Sequence, residues 1–517
     1  MTISFPGITA NIVGSNTIQN NQPQRVLLVG QKSGAGTAPA GELVENIGNN
    51  GEHNALFGEN SMLANMVNAF KVDGSNTVTR LDAIPLDDDG GATQATSTLT
   101  FAGTPTATGT FTLYVGSKKF AYTVNVTTSD TPTSVATSMA ALINADSKVQ
   151  VTAGSAAGVV TLTAVNGGLE GNFIGVRADG EVAGMTQTLT AMAGGATNPT
   201  LTGVFDPIDG IRYQTIVWPS SYDRDVVNTL LESRFNVINN ILDGIAVQIV
   251  PETFATFKAT VTALNSKSLV LGINPPVVSA PDNRFDHMVF EVPNMIASQV
   301  AAKRSIRLTD GANIADVVVS GASADTIGGI ELSSLPYANT PFPALPIIEA
   351  ADLLSRAEIK ELNDAGGFVL SNNIAGNTLV LGQLVTTYKT NAAGNADITF
   401  KFANYVDTAV AAREFIFNNS QARFRQSRLT NGELTEFRSI ANEASIAAFL
   451  DAQYQLLEDR MLVVKGDQAL RFFKANRNVT IDLGLGKASI NAKLRILTQL
   501  RELTFNFEIV FDEDNTL

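Results

Sequence analysis

The chain has few of the residues that most often carry chemistry. Its 517 residues include no cysteine and only two histidines. Without cysteine there are no disulfides, thiolate nucleophiles or cysteine-ligated metal sites, and a reducing compartment is favoured. His53 and His287 each stand alone, with no second histidine at helical spacing to form a metal pair. We therefore expect no catalytic residue, no cofactor and no metal, although an active site made only of Asp and Glu would leave no signature spacing.

Charge is also scarce. Charged residues make up 16% of the chain, well below the usual quarter. Either much of the surface is covered by a partner, or it is rich in Thr, Ser and Asn. The net charge of −14 argues against a nucleic-acid partner. Residues 401–517 carry 15 basic and 15 acidic side chains, so the whole excess lies in the first 400 residues.

Long hydrophobic runs are missing as well. No run of about 18 apolar residues is present, so we expect no membrane insertion. The N-terminus also lacks the basic and apolar pattern of a secretory signal.

Residues 23–90 and 201–390 are predicted to form one discontinuous α/β core domain, with a helix-flanked sheet of substantial parallel content. Its strands and helices alternate along the chain. Strand patterns lie at Arg25–Gly30, Tyr213–Val217, Ile245–Val250, Ser268–Ile273 and Met288–Val292. Helical patterns follow the cap Asn60-Ser61 and lie near Tyr222–Ile241, Thr253–Leu264, Asn294–Arg304 and Glu349–Asn363. The Pro-rich segment Leu335–Pro346 is predicted to be a surface loop.

Residues 91–200 differ in composition and predict an inserted β-rich outer domain. They are rich in Thr, Ala and Gly, with little charge. Strand patterns lie at Thr110–Val115, Phe120–Val126, Val149–Ala153 and Val159–Ala164, and one helix is predicted at Ser134–Ala145. The preceding run Asp87–Gly90 has consecutive acids, whereas a calcium loop needs them at alternate positions, so it indicates a solvated linker.

Residues 391–500 are predicted to form a C-terminal α/β domain. Long helical patterns occupy Tyr405–Arg425 and Thr435–Leu462, and Val479–Leu483 reads as a strand. The densest basic cluster in the chain is Arg423, Arg425 and Arg428, preceded by Arg413. It indicates either a solvated helix end, favoured by the helix dipole, or a contact with an acidic protein.

Both ends of the chain have the pattern of extended arms. In residues 501–517, Leu503, Phe505, Phe507, Ile509 and Phe511 alternate with mostly polar residues, which gives a strand with one apolar face. This strand either completes its own domain's sheet or adds to the sheet of a neighbouring copy. In residues 1–22, the apolar positions also predict a docked arm: Ile3, Phe5, Ile8, Ile12 and Val13.

The glycine-rich loop Gly30–Thr37 follows a buried strand, as a phosphate-binding loop would. However, Lys32 comes too early in this loop, and Pro39 follows where such a loop needs a helix. The loop therefore departs from the pattern that nucleotide hydrolysis requires. A calorimetric test for nucleotide binding would check this interpretation.

Several motifs resemble those of Mu-like contractile phage-tail sheath proteins. In the first part of the chain these are the segments RVLLVGQKSGAGTA at 25–38 and ALFGENSMLANMVNAF at 55–70. In the insert they are Ala107–Thr110 before Leu113–Gly116, then Ile143–Ala145, and Val160–Ala164 before Gly171-Asn172. The opening departs from the family, because Ile3–Ile8 stands where many sheath proteins have Pro-Gly-Val-Tyr.

The resemblance implies a structural subunit rather than an enzyme. It implies hexameric rings stacked into a helical sheath around a tail tube, in a virion tail assembled in the host bacterial cytoplasm. The implied partners are other copies of the chain, the tail tube, baseplate and tail terminator proteins. By the same resemblance the terminal arms join subunits, the C-terminal domain faces the tube and the insert lies outside. Arg423, Arg425 and Arg428 would then be the tube contact.

A second interpretation comes from the Thr-rich insert itself. Such a domain could serve a surface adhesin or a glycan-binding protein. A glycan array with residues 90–200 would distinguish the two interpretations.

Overall fold

A computed structural model of the chain describes residues 24–48, 50–74, 79–235, 242–274, 291–308, 337–348, 353–432 and 440–498. The predicted arm at 1–22, the strand at 503–511, His287 and most of the strand at 288–292 lie outside this part. The chain divides into two compact units. The first contains residues 1–333 and 337–414, and the second contains 334–336 and 415–517. The domain boundaries drawn from the sequence stay predictions.

The described part contains helices and strands in mixed order. In chain order the helices are α1 (Glu52–Phe57), α2 (Met62–Gly74), α3 (Pro132–Asn144), α4 (Arg224–Arg234), α5 (Phe254–Ala263), α6 (Pro293–Leu308), α7 (Arg356–Ala365), α8 (Ala403–Phe424), α9 (Glu443–Asp459) and α10 (Asp467–Ala475). The strands up to the end of the insert are β1 (Gln24–Gln31), β2 (Thr79–Leu86), β3 (Gln94–Gly103), β4 (Gly109–Val115), β5 (Ser117–Val126), β6 (Val151–Ala156), β7 (Val159–Gly167), β8 (Val176–Asp179) and β9 (Met185–Leu189). Those that follow are β10 (Thr215–Val217), β11 (Ile245–Val250), β12 (Leu269–Ile273), β13 (Pro341–Phe342), β14 (Gly367–Phe368), β15 (Leu370–Asn372), β16 (Leu379–Leu381), β17 (Arg428–Leu429), β18 (Ile440–Ala441), β19 (Asn478–Asp482) and β20 (Lys487–Asn491).

The predicted helix-flanked parallel sheet is confirmed. Six parallel strands lie in the order β14-β12-β11-β10-β1-β2. The chain leaves β1 toward β2 and later returns to β10 on the other side of β1, so the strand order reverses between β1 and β10. Val26 and Leu28 of β1 face a core with α2 and α6, whereas Leu27 and Val29 face the opposite core with α4. This alternation explains why the strand is a continuous apolar run.

Local signals explain where several helices begin and end. Ser61 caps the start of α2, because its hydroxyl accepts the backbone N–H of Ala64 at 3.1 Å. Gly366 caps the end of α7, and its left-handed backbone (φ 98°) favours glycine. The start of α7 is later than predicted, because Ser355 and Glu358 form a capping box there.

The insert has antiparallel sheets and a core of its own. One sheet has the order β6-β7-β3-β9 and the other β5-β4-β8. Helix α3 begins with a capping box between Thr131 and Ser134. Its apolar side joins a buried cluster whose members, among the described residues, all belong to the insert, from Ala95 to Met192. The predicted β-rich insert is therefore a closed hydrophobic unit.

The prediction of a surface loop at Leu335–Pro346 is wrong over the described residues. Tyr337 and Phe342 are almost completely buried in the main core. Pro341 and Phe342 form β13, an edge strand beside β16 in the sheet β13-β16-β15. Proline is tolerated there, since an edge strand leaves one side of its backbone without sheet partners. The prolines suggested a loop, but the aromatic residues between them decided the burial.

The second unit is helical with a small hairpin. Helix α9 begins at Glu443 rather than at the predicted Thr435, because Asn442 forms a capping box with Ser445. Tyr454 of α9 stacks on Phe473 of α10 with ring centroids 4.6 Å apart. The antiparallel hairpin β19–β20 follows.

Candidate assembly surfaces and the joint between insert and core

The glycine-rich loop after β1 packs against α1. The backbone of the loop forms a hydrogen bond with the last residue of α1, since the N–H of Ser33 donates to the carbonyl of Phe57 at 2.9 Å. Gly36 lies so close to this helix that a Cβ would come within 2.6 Å of the Phe57 backbone. Lys32 forms an ion pair with Asp87 at 2.9 Å. Gly36 thus permits close packing of the loop on α1. The charge of Lys32 is paired with a carboxylate of the same chain.

The predicted linker at Asp87–Gly90 is one side of a polar joint between core and insert. Asp88 is exposed, yet both of its carboxylate oxygens accept hydrogen bonds. Oδ1 accepts from the side chains of Gln31 (2.6 Å) and Asn166 (3.1 Å), and Oδ2 accepts from the backbone N–H of Gly167 (2.7 Å). Gln31 also donates to the carbonyl of Gly167 at 2.7 Å, and Asn166 donates to that of Lys32 at 2.8 Å. One acidic side chain therefore links the end of β1 to the end of β7.

Glu170 forms the other side of this joint. Its Oε1 accepts the hydroxyl of Ser220 at 2.8 Å and the backbone N–H of Ser221 at 2.7 Å. Asn198 donates to the carbonyl of Ser221 at 2.9 Å and accepts the N–H of Leu169 at 2.8 Å. Burial raises the pKa of Glu170, while the hydrogen bonds from Ser221 and Ser220 oppose the shift because they favour the charged form.

A third contact lies beside α6. The Ser117 hydroxyl at the start of β5 donates to Oε2 of Glu291 at 3.1 Å. Burial raises the pKa of Glu291 to about 7, although Lys119 and Ser117 favour its charged form. The insert is therefore held to the core at several separate points.

A deeply buried ion pair of the core is structural. Arg304 of α6 pairs with Asp407 of α8, and Tyr337 donates to the second oxygen of Asp407 at 2.6 Å. Arg304 also donates to the carbonyl of Gln214 at 2.7 Å. These side chains are 5% exposed or less, so the arrangement fixes α8 on the sheet rather than facing a substrate.

The arginines predicted as a basic cluster separate into two groups. Arg413 lies in the first unit, is partly buried and pairs with buried Asp243. Arg423, Arg425 and Arg428 belong to the second unit and are exposed. Only Arg423 is in the helix, since α8 ends at Phe424 and Arg428 begins β17. The three follow one another through the C-terminal turn of this helix and beyond.

Hairpin β19–β20 presents an apolar surface to solvent. β19 contacts α9, and Ile481 N–H donates to Glu443 at 3.3 Å. Ile490, opposite Val479, is 42% exposed, and Leu485 in the turn is 77% exposed. Within the described residues each strand pairs only with the other. The sequence prediction found β19 but missed β20, although Gly484 and Gly486 mark the turn between them.

Of the two histidines, His53 lies in the described part of the chain. His53 is buried, and its ring nitrogens contact Asn68 at 2.8 Å and Lys71 at 3.0 Å. Among the residues that the structure describes, no group of three or more His, Asp or Glu side chains could hold a metal. A search of the same residues finds no helix both long and apolar enough to cross a membrane.

No protein-family model matches the chain. Over 229 residues it is 34% identical to the Mu-like prophage FluMu tail sheath protein of Haemophilus influenzae. The matched stretch is 43% of this chain and spans about half, 46%, of that protein. The resemblance to Mu-like tail sheath proteins predicted from the motifs is confirmed by this similarity.

Solved structures similar to the chain were also found. A sheath tail protein from Listeria innocua aligns over 92% of each chain with a TM-score of 0.46 and 12% identity. The helical sheath of the anti-feeding prophage in its contracted state aligns over 94% of this chain and 92% of its own, with a TM-score of 0.43 and 11% identity.

Proposed function

We propose that this chain is the structural subunit of a contractile tail sheath and is not an enzyme. It polymerises as stacked hexameric rings around a tail tube and contracts to drive the tube through the host envelope. The observation that carries this proposal is the 34% identity to a tail sheath protein over 229 residues. The ion pair of Lys32 with Asp87 and the close packing of Gly36 on α1 agree with a structural role.

We propose hairpin β19–β20 as the acceptor of the terminal arms of neighbouring copies. A two-stranded sheet is marginally stable alone, and this one has exposed apolar side chains at Leu485 and Ile490. The alternating strand of Leu503, Phe505, Phe507, Ile509 and Phe511 has the pattern of a donor for such an edge. Ile3, Phe5, Ile8, Ile12 and Val13 would supply a second donor.

Negative-stain microscopy of the purified full chain tests the proposal. We expect striated tubes of sheath, whereas uniform monomers at high concentration would contradict polymerisation. Deletion of residues 501–517 should leave a folded, soluble subunit that forms no tubes. If the shortened chain still assembled tubes, the donor role of the last strand would be wrong, while the sheath role would stand.

The remaining partners follow from the same proposal. Arg423, Arg425 and Arg428 are exposed, and would contact an acidic surface of the tail tube. Reversal of these three charges to Glu should uncouple sheath from tube and spare polymers of sheath alone. Unchanged co-assembly with the tube would refute this contact. Baseplate and tail terminator proteins would bind the ends of the sheath in the virion tail, which is assembled in the host cytoplasm.

A further inference from the structure

The parallel sheet of the core has the architecture in which ligands usually bind at one predictable place. In open α/β sheets, this is the crevice outside the carboxyl ends of the strands, where the strand order reverses. Here the order reverses between β1 and β10. These strands lie side by side in register, with Leu28 opposite Val217. Gln31 at the end of β1, Lys32 directly after it, and Trp218–Ser221 after β10 therefore border the crevice.

One short segment of the insert bonds to both borders of this crevice. Asn166 and Gly167 bond to Lys32 and Gln31, at the end of β1. Glu170, three residues after Gly167, bonds to Ser220 and Ser221, after β10. The insert thus occupies the position that a ligand takes in related architectures.

The contact at Glu170 has the chemistry of an anion site. A hydroxyl and a backbone N–H converge on one carboxylate oxygen, as they do around bound oxyanions. Glu170 is 3% exposed and Ser220 8%, so water is largely excluded. The second oxygen, Oε2, is buried and has no hydrogen-bond partner among the described residues. The loop therefore binds the carboxyl group mainly through the donors of Ser220 and Ser221.

We propose that the loop after β10 is a binding site for a small carboxylate or similar oxyanion, and that the chain fills it with its own Glu170. The insert then serves as a built-in ligand that closes the crevice and sets the orientation of the insert on the core. This inference concerns the first unit alone and stands whether or not the chain forms a sheath.

Chemical rescue of the full-length chain tests the proposal. Glu170→Ala should lower the Tm by several degrees, because it leaves the donors of Ser220 and Ser221 unpaired. Sodium formate should raise the Tm of this variant more than that of the unmodified chain, at constant ionic strength set with NaCl. Acetate and phosphate test how large an oxyanion the site accepts. Glu181→Ala removes an exposed glutamate of the same insert and serves as the matched control.

Two results would overturn the proposal. One is a Tm of Glu170→Ala equal to that of Glu181→Ala. The other is a formate response of equal size in all variants. In the double variant Glu170→Ala, Ser220→Ala the formate gain should shrink, since one of the two donors is gone.

A double-mutant cycle keeps the test decisive if Glu170→Ala does not fold. Glu170→Gln keeps an oxygen that can accept the N–H of Ser221. The Tm losses of Glu170→Gln and Ser220→Ala should then be non-additive, because both act on one contact. Additive losses would show that the two side chains do not act together.

Discussion

The insert and the second unit differ in how they treat their apolar side chains: the insert buries them in its own core, and the second unit leaves some exposed. The insert encloses its own hydrophobic cluster, and polar side chains bind it to the core at Asp88, Glu170 and Glu291. The second unit contains a two-stranded hairpin with exposed Leu485 and Ile490. A region with a closed core needs no partner, whereas an exposed apolar hairpin gains stability from one. Substitutions in the insert should therefore mainly lower the free energy of unfolding, and substitutions in the hairpin should mainly impair assembly.

A cavity in the insert should have the largest effect on stability. Leu162→Ala removes a fully buried side chain of the insert and should cost about 2–5 kcal/mol of unfolding free energy. Urea denaturation of the full chain measures the loss. Leu142→Ala, on the 42%-exposed leucine of α3, is the control and should change little. Equal losses at the two positions would contradict a closed core.

The contact at Glu291 should make the stability of the first unit depend on pH. Its pKa is raised from 4.5 to about 7, so the folded chain holds a proton that the unfolded chain releases between these values. The contribution is present below about pH 4.5 and is lost as the pH rises through about 7, up to roughly 3 kcal/mol. Denaturation of Glu291→Gln at several pH values should show a flatter profile in this window. An unchanged slope, equal to that of Glu181→Gln, would contradict the assignment.

Matched helix caps compare the two regions directly. Thr131 caps α3 in the insert and Asn442 caps α9 in the second unit, each within a capping box. Replacement of either by Ala should cost about 1 kcal/mol. Native-state hydrogen exchange should show the α9 loss as faster local opening, and the α3 loss spread over the insert core. Thr133→Ala, an exposed change inside α3, is the control. Faster exchange confined to α3 would break the comparison.

The hairpin turn should show the smallest effect on stability. Leu485→Ser alters a side chain that is 77% exposed, so the unfolding free energy should change by less than about 0.5 kcal/mol. If the hairpin accepts a strand from another copy, tube formation should nevertheless fall in sedimentation and microscopy. Lys465→Ser, an exposed change elsewhere in the second unit, should spare assembly. Normal tubes from Leu485→Ser would remove the turn from the proposed interface.

Sequence patterns were sufficient where one local force dominates. The buried run at β1 and the cap at Ser61 were both found, because burial and capping each leave a local signature. The Pro-rich segment misled, since the burial of Phe342 depends on a distant partner, β16. Strand β20 was missed because it is short and contains only two apolar residues, Ala488 and Ile490.

By itself the sequence determined the fold class and the resemblance to sheath proteins. Periodicity and turn residues act over a few neighbours, so they can be read without a structure. The joint was decided only by the tertiary structure. Asp88 had the composition of a solvated linker, and Glu170 carried no motif. Their partners lie far along the chain, at Gln31 and at Ser220, and only folding brings these groups within hydrogen-bond distance.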